Sequence, residues 1–89
     1  MKNSITVAQC RAARALLGWT QQELHQRSGV ASKTIADFER GAREPYPRTL
    51  ADLVRTLEDA GIEFIAENGG GVGVRLKRKA GSNREESGQ

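Results

Sequence analysis

The chain is short of the residues that would define several kinds of chemistry. Its 89 residues include one cysteine, Cys10, and one histidine, His25. A lone thiol excludes an internal disulfide and a multi-cysteine zinc site. A protein-only metal site would then depend on carboxylates, and none cluster at ligand spacing. No nucleophile stands with a base and no acid is paired with a base, so neither catalysis nor a cofactor is expected. Aromatic residues make up only 4%, and Trp19 has no aromatic neighbour in sequence with which to build a base-stacking platform. It reads as a core plug. No apolar run approaches the ~20 residues of a membrane span, and no signal-peptide pattern opens the chain. A cytoplasmic location is the expectation.

What remains is a small globular composition. Hydrophobic residues account for 37% and ten glycines are present, an ordinary balance for a folded chain. The length suits one modest core, burying about 60–65% of the unfolded surface. The net charge is +3 and the isoelectric point about 9.5. That mildly favours an anionic partner.

Helical signals fill the first two thirds. Residues up to Ile5 carry no periodicity and read as a frayed lead. Thr6 with Gln9 forms a capping box, and Gly18 stops the helix it opens. Cys10 lies on the apolar side of that helix. Thr20 with Glu23 forms a second capping box, for a short helix ending at Gly29. A third segment runs from Ser32 to Gly41, with Ile35 and Phe38 on one face. Pro47 suits the first turn of a fourth helix. There Leu50, Leu53, Val54 and Leu57 follow the i, i+3, i+4, i+7 pattern, and Gly61 closes it.

Beyond Gly61 the period falls to two, and Asn68-Gly69-Gly70-Gly71 separates two alternating runs. This predicts a β-hairpin. The triglycine lacks the following Lys-Ser/Thr of a phosphate loop and reads as a turn. A three-residue loop, Asn68 to Gly70, would pair Ala66 with Val72, Phe64 with Val74, Ile62 with Leu76 and Glu63 with Arg75. That register puts like with like on both faces. Ile62, Phe64, Val74 and Leu76 would settle on the helices, leaving Ile65 outward. Arg75, Lys77, Arg78 and Lys79 then place four cations in five residues. They suit either an edge-strand guard or a phosphate contact. The polar tail 80–89 is expected to be disordered.

The most informative stretch is Thr20 to Gly41. Two short helices flank Gly29-Val30-Ala31; Gly29 can take a left-handed turn, and Val30 can plug the gap between the helices. Leu24, Val30, Ile35 and Phe38 would pack inside. Ser32, Lys33, Thr34, Asp37 and Arg40 would lie outward, a polar face suited to a DNA major groove. With Gln21 at the start and Phe38-Glu39-Arg40-Gly41 at the end, residues 6–60 resemble the phage-repressor/Cro type of helix-turn-helix, the Xre family. The resemblance implies a mainly α fold, a compact four-helix repressor-like domain over 1–61. The C-terminal β-hairpin over 62–79 would follow as a dimerisation element. It also implies that Gln21 contacts a phosphate, that Ser32, Lys33 and Asp37 face base edges, and that Thr34, Arg40 and Arg43 meet the DNA backbone. Arg14 and Glu39 match a family ion pair. Asp37 can accept from a cytosine amine or orient Lys33 or Arg40. Two positions depart from the pattern: His25 stands where the family usually has Ala, and Ala31 where a capping Ser or Asn is commoner. Ser32 can cap instead, starting the helix one residue later.

The function this reading implies is a sequence-specific DNA-binding regulator, a repressor that binds a palindromic operator on double-stranded DNA as a homodimer. The alternative is an antitoxin-like protein-interaction module with autoregulatory DNA binding. The tail lacks the apolar anchors a partner-wrapping segment needs, which weighs against it. A stoichiometric protein captured from native lysate would favour that alternative.

Overall fold

The computed structural model describes residues 4–77. The expected fraying of residues 1–3, the cations Arg78 and Lys79 and the expected disorder of 80–89 lie outside the described residues. Four helices come first: α1 (Val7–Leu17), α2 (Gln21–Ser28), α3 (Ser32–Glu39) and α4 (Pro47–Asp59). Two antiparallel strands follow, β1 (Ile62–Ile65) and β2 (Gly73–Leu76).

The first two helices begin at capping boxes, and the last two begin without a side-chain cap. Thr6 Oγ1 accepts from Gln9 N at 3.1 Å, and Gln9 Oε1 accepts from Thr6 N at 2.9 Å. Thr20 and Glu23 repeat the exchange at α2. Both boxes satisfy first-turn N–H groups that no helical carbonyl can reach. Pro47 takes the N1 position of α4, where a missing N–H costs nothing. In α3 the expected cap is missing. Ser32 does not cap it but is its first helical residue, and Ala31 holds the cap position without a side-chain hydrogen bond. The helix ends at Glu39, and the Asp37 carbonyl accepts from Ala42 N at 2.8 Å.

One core serves helices and hairpin together. Cys10, Leu24, Ile35, Leu53 and Leu57 are fully buried within it, and Ile62 from β1 joins them. Ile5 also belongs to this core, against the expectation of a frayed lead. It precedes the cap of α1, and its cluster-mate Cys10 sits at N4, the two positions that form a hydrophobic staple. Trp19 does not plug the core. It is half-buried at its edge, with the Arg27 guanidinium 4.5 Å from its ring centre.

The hairpin register is the expected one: Ile62 opposite Leu76, Glu63 opposite Arg75, Phe64 opposite Val74. The ladder stops at Ile65–Gly73, so Ala66 and Val72 do not pair and the loop is longer than three residues. Side chains engage both sides of this end of the ladder. Glu67 Oε2 accepts from Gly69 N at 3.0 Å and Gly71 N at 3.1 Å. Gln9 Nε2 donates to Gly73 O at 2.9 Å and Ile65 O at 3.3 Å, seating the ladder's end on α1. Leu76 departs from its expected place. It is 45% exposed.

Candidate nucleic-acid interface

The turn between α2 and α3 is set by backbone chemistry. Gly29 has φ 77°, the left-handed region in which a side chain is strained. Val30 follows and is buried, as the sequence requires of an inter-helix plug. His25 finds its room at this turn. It is half-buried, and its Nδ1 lies 2.7 Å from Val30 O. A carbonyl only accepts, so Nδ1 carries the proton.

This turn presents one side of α3. Ser32 and Lys33 are exposed on its first turn, and Arg40 is exposed just past its end. Asp37 sits between the two cations. Its Oδ2 accepts from Lys33 Nζ at 3.3 Å, and its Oδ1 from Arg40 at 2.9 Å. The bond from Lys33, with Arg40 behind it, holds the Asp37 carboxyl below its ordinary range despite some desolvation. The structure therefore brings Ser32, Lys33, Asp37 and Arg40 onto one face.

Thr34 and Arg43 lie elsewhere. Thr34 is half-buried and borders a hollow of about 360 Å³ with Arg43, Glu44, Pro45, Tyr46 and Thr49. The first helical bond of α4 runs from Leu50 N to Tyr46 O at 2.9 Å. The N–H groups of Arg48 and Thr49 precede it and have no acceptor within the helix. Tyr46, 82% exposed, stands at this end of α4.

Gln21 is held from below. Its Nε2 donates to Glu39 Oε1 at 3.1 Å. Glu39 is only 4% exposed and gathers four donors. Arg14 binds it in a two-point fork, Nε to Oε2 at 2.8 Å and a terminal nitrogen to Oε1 at 2.7 Å. The Cys10 thiol donates to Oε2 at 3.3 Å. Burial alone would push the Glu39 carboxyl up, but the bonds from Arg14, Gln21 and Cys10 outweigh it and hold the group below its ordinary value. The same burial, with the Glu39 charge, drives the Cys10 thiol far up, so it stays protonated. Arg14 also donates to Trp19 O at 2.8 Å. One carboxylate thus ties α1, the start of α2 and the end of α3 together.

Two neighbours of this face went unnoticed in the sequence. Arg11 lines a cleft of about 430 Å³ with Arg14, Gln21 and Arg40. It lies on α1, outside the motif, and its only signal is its place three residues before Arg14. The exposure of Tyr46 leaves no mark in the sequence at all. Among the described residues, no three His, Cys, Asp or Glu side chains are grouped to hold a metal ion. No helix there is long and apolar enough to cross a membrane.

A compact set of four helices, with a capped α2, a glycine turn and a polar α3, defines a helix-turn-helix domain. The chain belongs to the helix-turn-helix family, whose model matches residues 11–59. Two relatives come from Sinorhizobium fredii (strain NBRC 101917 / NGR234). One, named "Uncharacterized HTH-type transcriptional regulator y4dL", is 42% identical over 50 residues, which cover 56% of this chain and 26% of that protein. The other, "Uncharacterized HTH-type transcriptional regulator y4dJ", is 35% identical over 48 residues, 54% of this chain and 62% of the relative. The similarity thus spans about a quarter and about three fifths of these relatives.

Proposed function

We propose that this protein is a sequence-specific DNA-binding transcriptional regulator, and specifically a repressor that covers a pseudo-palindromic operator as a homodimer. The observation that carries the reading is the polar face of α3 formed by Ser32, Lys33, Asp37 and Arg40, on a helix whose last residue, Glu39, is anchored to α1 and α2 by a buried ion pair. In this reading Ser32 and Lys33 meet base edges in the major groove, and Asp37 lies among them. Arg40, Arg43 and Thr34 flank the DNA backbone. Gln21 keeps one amide N–H on Glu39 and offers the other to a phosphate. Affinity comes from phosphate neutralisation and selectivity from α3. The names of the two relatives support a regulatory role.

The homodimer forms through the hairpin. A two-stranded sheet is marginal alone and has two open edges. Val72 and Leu76 are 46% and 45% exposed on the described part of this hairpin. A two-fold pairing would cover them and set two α3 helices about 34–36 Å apart, or a multiple of that. Selection of bound sites from random duplex DNA tests the whole reading. An enriched motif with inverted half-sites is expected. Recovery of unselected sequence at every salt concentration would overturn it.

A further inference from the structure

The Lys33–Asp37–Arg40 cluster is unusual for a surface meant to meet an anion, because it spends two cations on one acid. The three residues lie four and three apart, on one stripe of α3. Lys33 and Arg40 sit about 10 Å apart along the axis, one at each end of the helix. Asp37 reaches both, one carboxylate oxygen each. Its side chain is recessed, at 16% exposure against 83% for Lys33 and 67% for Arg40. A base edge approaching this face meets the cations first. A cytosine amine would have to pass between them to reach an acid whose oxygens are both engaged.

We propose that Asp37 is a positioning residue: it holds the Lys33 ammonium on the stripe, aimed at the N7 and O6 acceptors of a guanine, and keeps Lys33 and Arg40 from swinging to arbitrary phosphates. This rests on the DNA-binding reading above. A lysine on a flexible four-carbon stem is a poor reader of sequence when free, since any phosphate satisfies it. An acid one helical turn away biases that freedom toward the stripe and offsets one charge of the non-specific attraction. Asp37 thereby trades affinity for all DNA against selectivity for one base.

The test compares sites selected from random duplex DNA by the wild-type protein, Lys33→Ala, Asp37→Asn and the double variant. Melting curves accompany each to show that the fold survives. Lys33→Ala should erase one guanine preference, taking a discrimination of roughly 5- to 150-fold to near unity. Asp37→Asn should weaken the preference at the same position. The double variant should be no broader than Lys33→Ala, since two residues acting as one unit do not add. On scrambled duplex, Asp37→Asn should bind more tightly, with the log–log salt slope steeper by about 1. Loss of a cytosine preference at a position that Lys33→Ala retains would make Asp37 a direct reader and overturn the proposal. An unchanged motif in Asp37→Asn, or in Lys33→Ala, would overturn it too. Failure of the wild-type protein to enrich any motif would instead remove the DNA-binding reading on which it stands.

Discussion

Glu39 carries the largest electrostatic stake of any single residue described. A carboxylate at 4% exposure is tolerable only because the Arg14 fork, Gln21 and Cys10 fill its lone pairs. Arg14→Met would leave that charge buried with two weaker donors. The expected cost near neutral pH is about 3 kcal/mol, at the lower end for a broken buried pair because Arg14 itself reaches solvent. That lowers the melting temperature by roughly 10 °C or more in a domain of this size. The pH dependence gives a sharper signature. In the wild-type protein the folded carboxyl lies below its ordinary value, so its contribution is present above about pH 4 and fades as pH falls through the folded value. In Arg14→Met burial dominates and raises the carboxyl instead. Protonation then relieves the variant while it weakens the wild type, and the gap between them narrows on acidification. Thermal melts near neutral pH and near pH 4 measure both curves. A constant gap would show that Glu39 is not the group left stranded. The Arg14–Glu39 pairing was legible through family likeness, and the Asp37 pairs through their spacing on one helix. The bonds from Gln21 and Cys10 to Glu39 were not, because nothing local relates three residues on three helices.

At the scale of elements, Gln9 does two jobs that the sequence shows as one. Its spacing from Thr6 marks the capping box. Its second role, donation to Gly73 O and Ile65 O, depends on a strand end more than 50 residues away. Gln9→Glu separates the two. A carboxylate still accepts from Thr6 N and suits a helix N-terminus, but it faces two carbonyl oxygens with nothing to donate. The expected loss is about 2 kcal/mol, the middle of the range for a spoiled buried group. It should be concentrated in the hairpin. Amide hydrogen exchange should speed up through β1, β2 and Lys77, whose N–H donates to Gly61 O at 2.8 Å, while the interior amides of α1 and α4 stay protected. Equal acceleration in α1 would mean that the cap, not the hairpin seat, had failed. The contrast explains which elements could be read in advance. Helix ends and strand register are written in local spacing, through caps, glycines and a two-residue alternation. The hairpin loop is longer than expected, and the Glu67 side chain takes the Gly71 N–H that a longer ladder would have used. The missing cap on α3 is likewise a tertiary matter, since Ala31 and Ser32 both permit a start and packing of Ile35 and Phe38 decides the phase.

For the molecule as a whole, the hairpin carries an apolar side that its own helices cover only in part. Ile62, Phe64, Val74, Leu76 and Val72 alternate onto one side of the two runs, yet only the first three sit on the helices. Val72 and Leu76 continue that apolar side beyond its own support. The sequence warns against bringing two such strands together, because Arg75 and Lys77 would then repel their symmetry mates. Part of that conflict is already relieved within the protomer: Glu63 holds Arg75 across the ladder at 3.0 Å. Cutting the chain after Gly61 would be a poor test of the proposed dimer, since it also strips Ile62, 1% exposed, from the core. Val72→Glu and Leu76→Glu are cleaner. Each side chain is nearly half-exposed, so the fold should survive with little change in melting temperature. In a two-fold interface each substitution enters twice, and a carboxylate desolvated against its own copy is strongly unfavourable. Sedimentation equilibrium should therefore find the wild-type protein dimeric and both variants shifted toward monomer. Binding should follow, because a monomer engages one half-site at a time and loses the gain in effective concentration that links the two. Variants that stay dimeric while binding a full operator as tightly as wild type would move the interface off the hairpin and onto the helices.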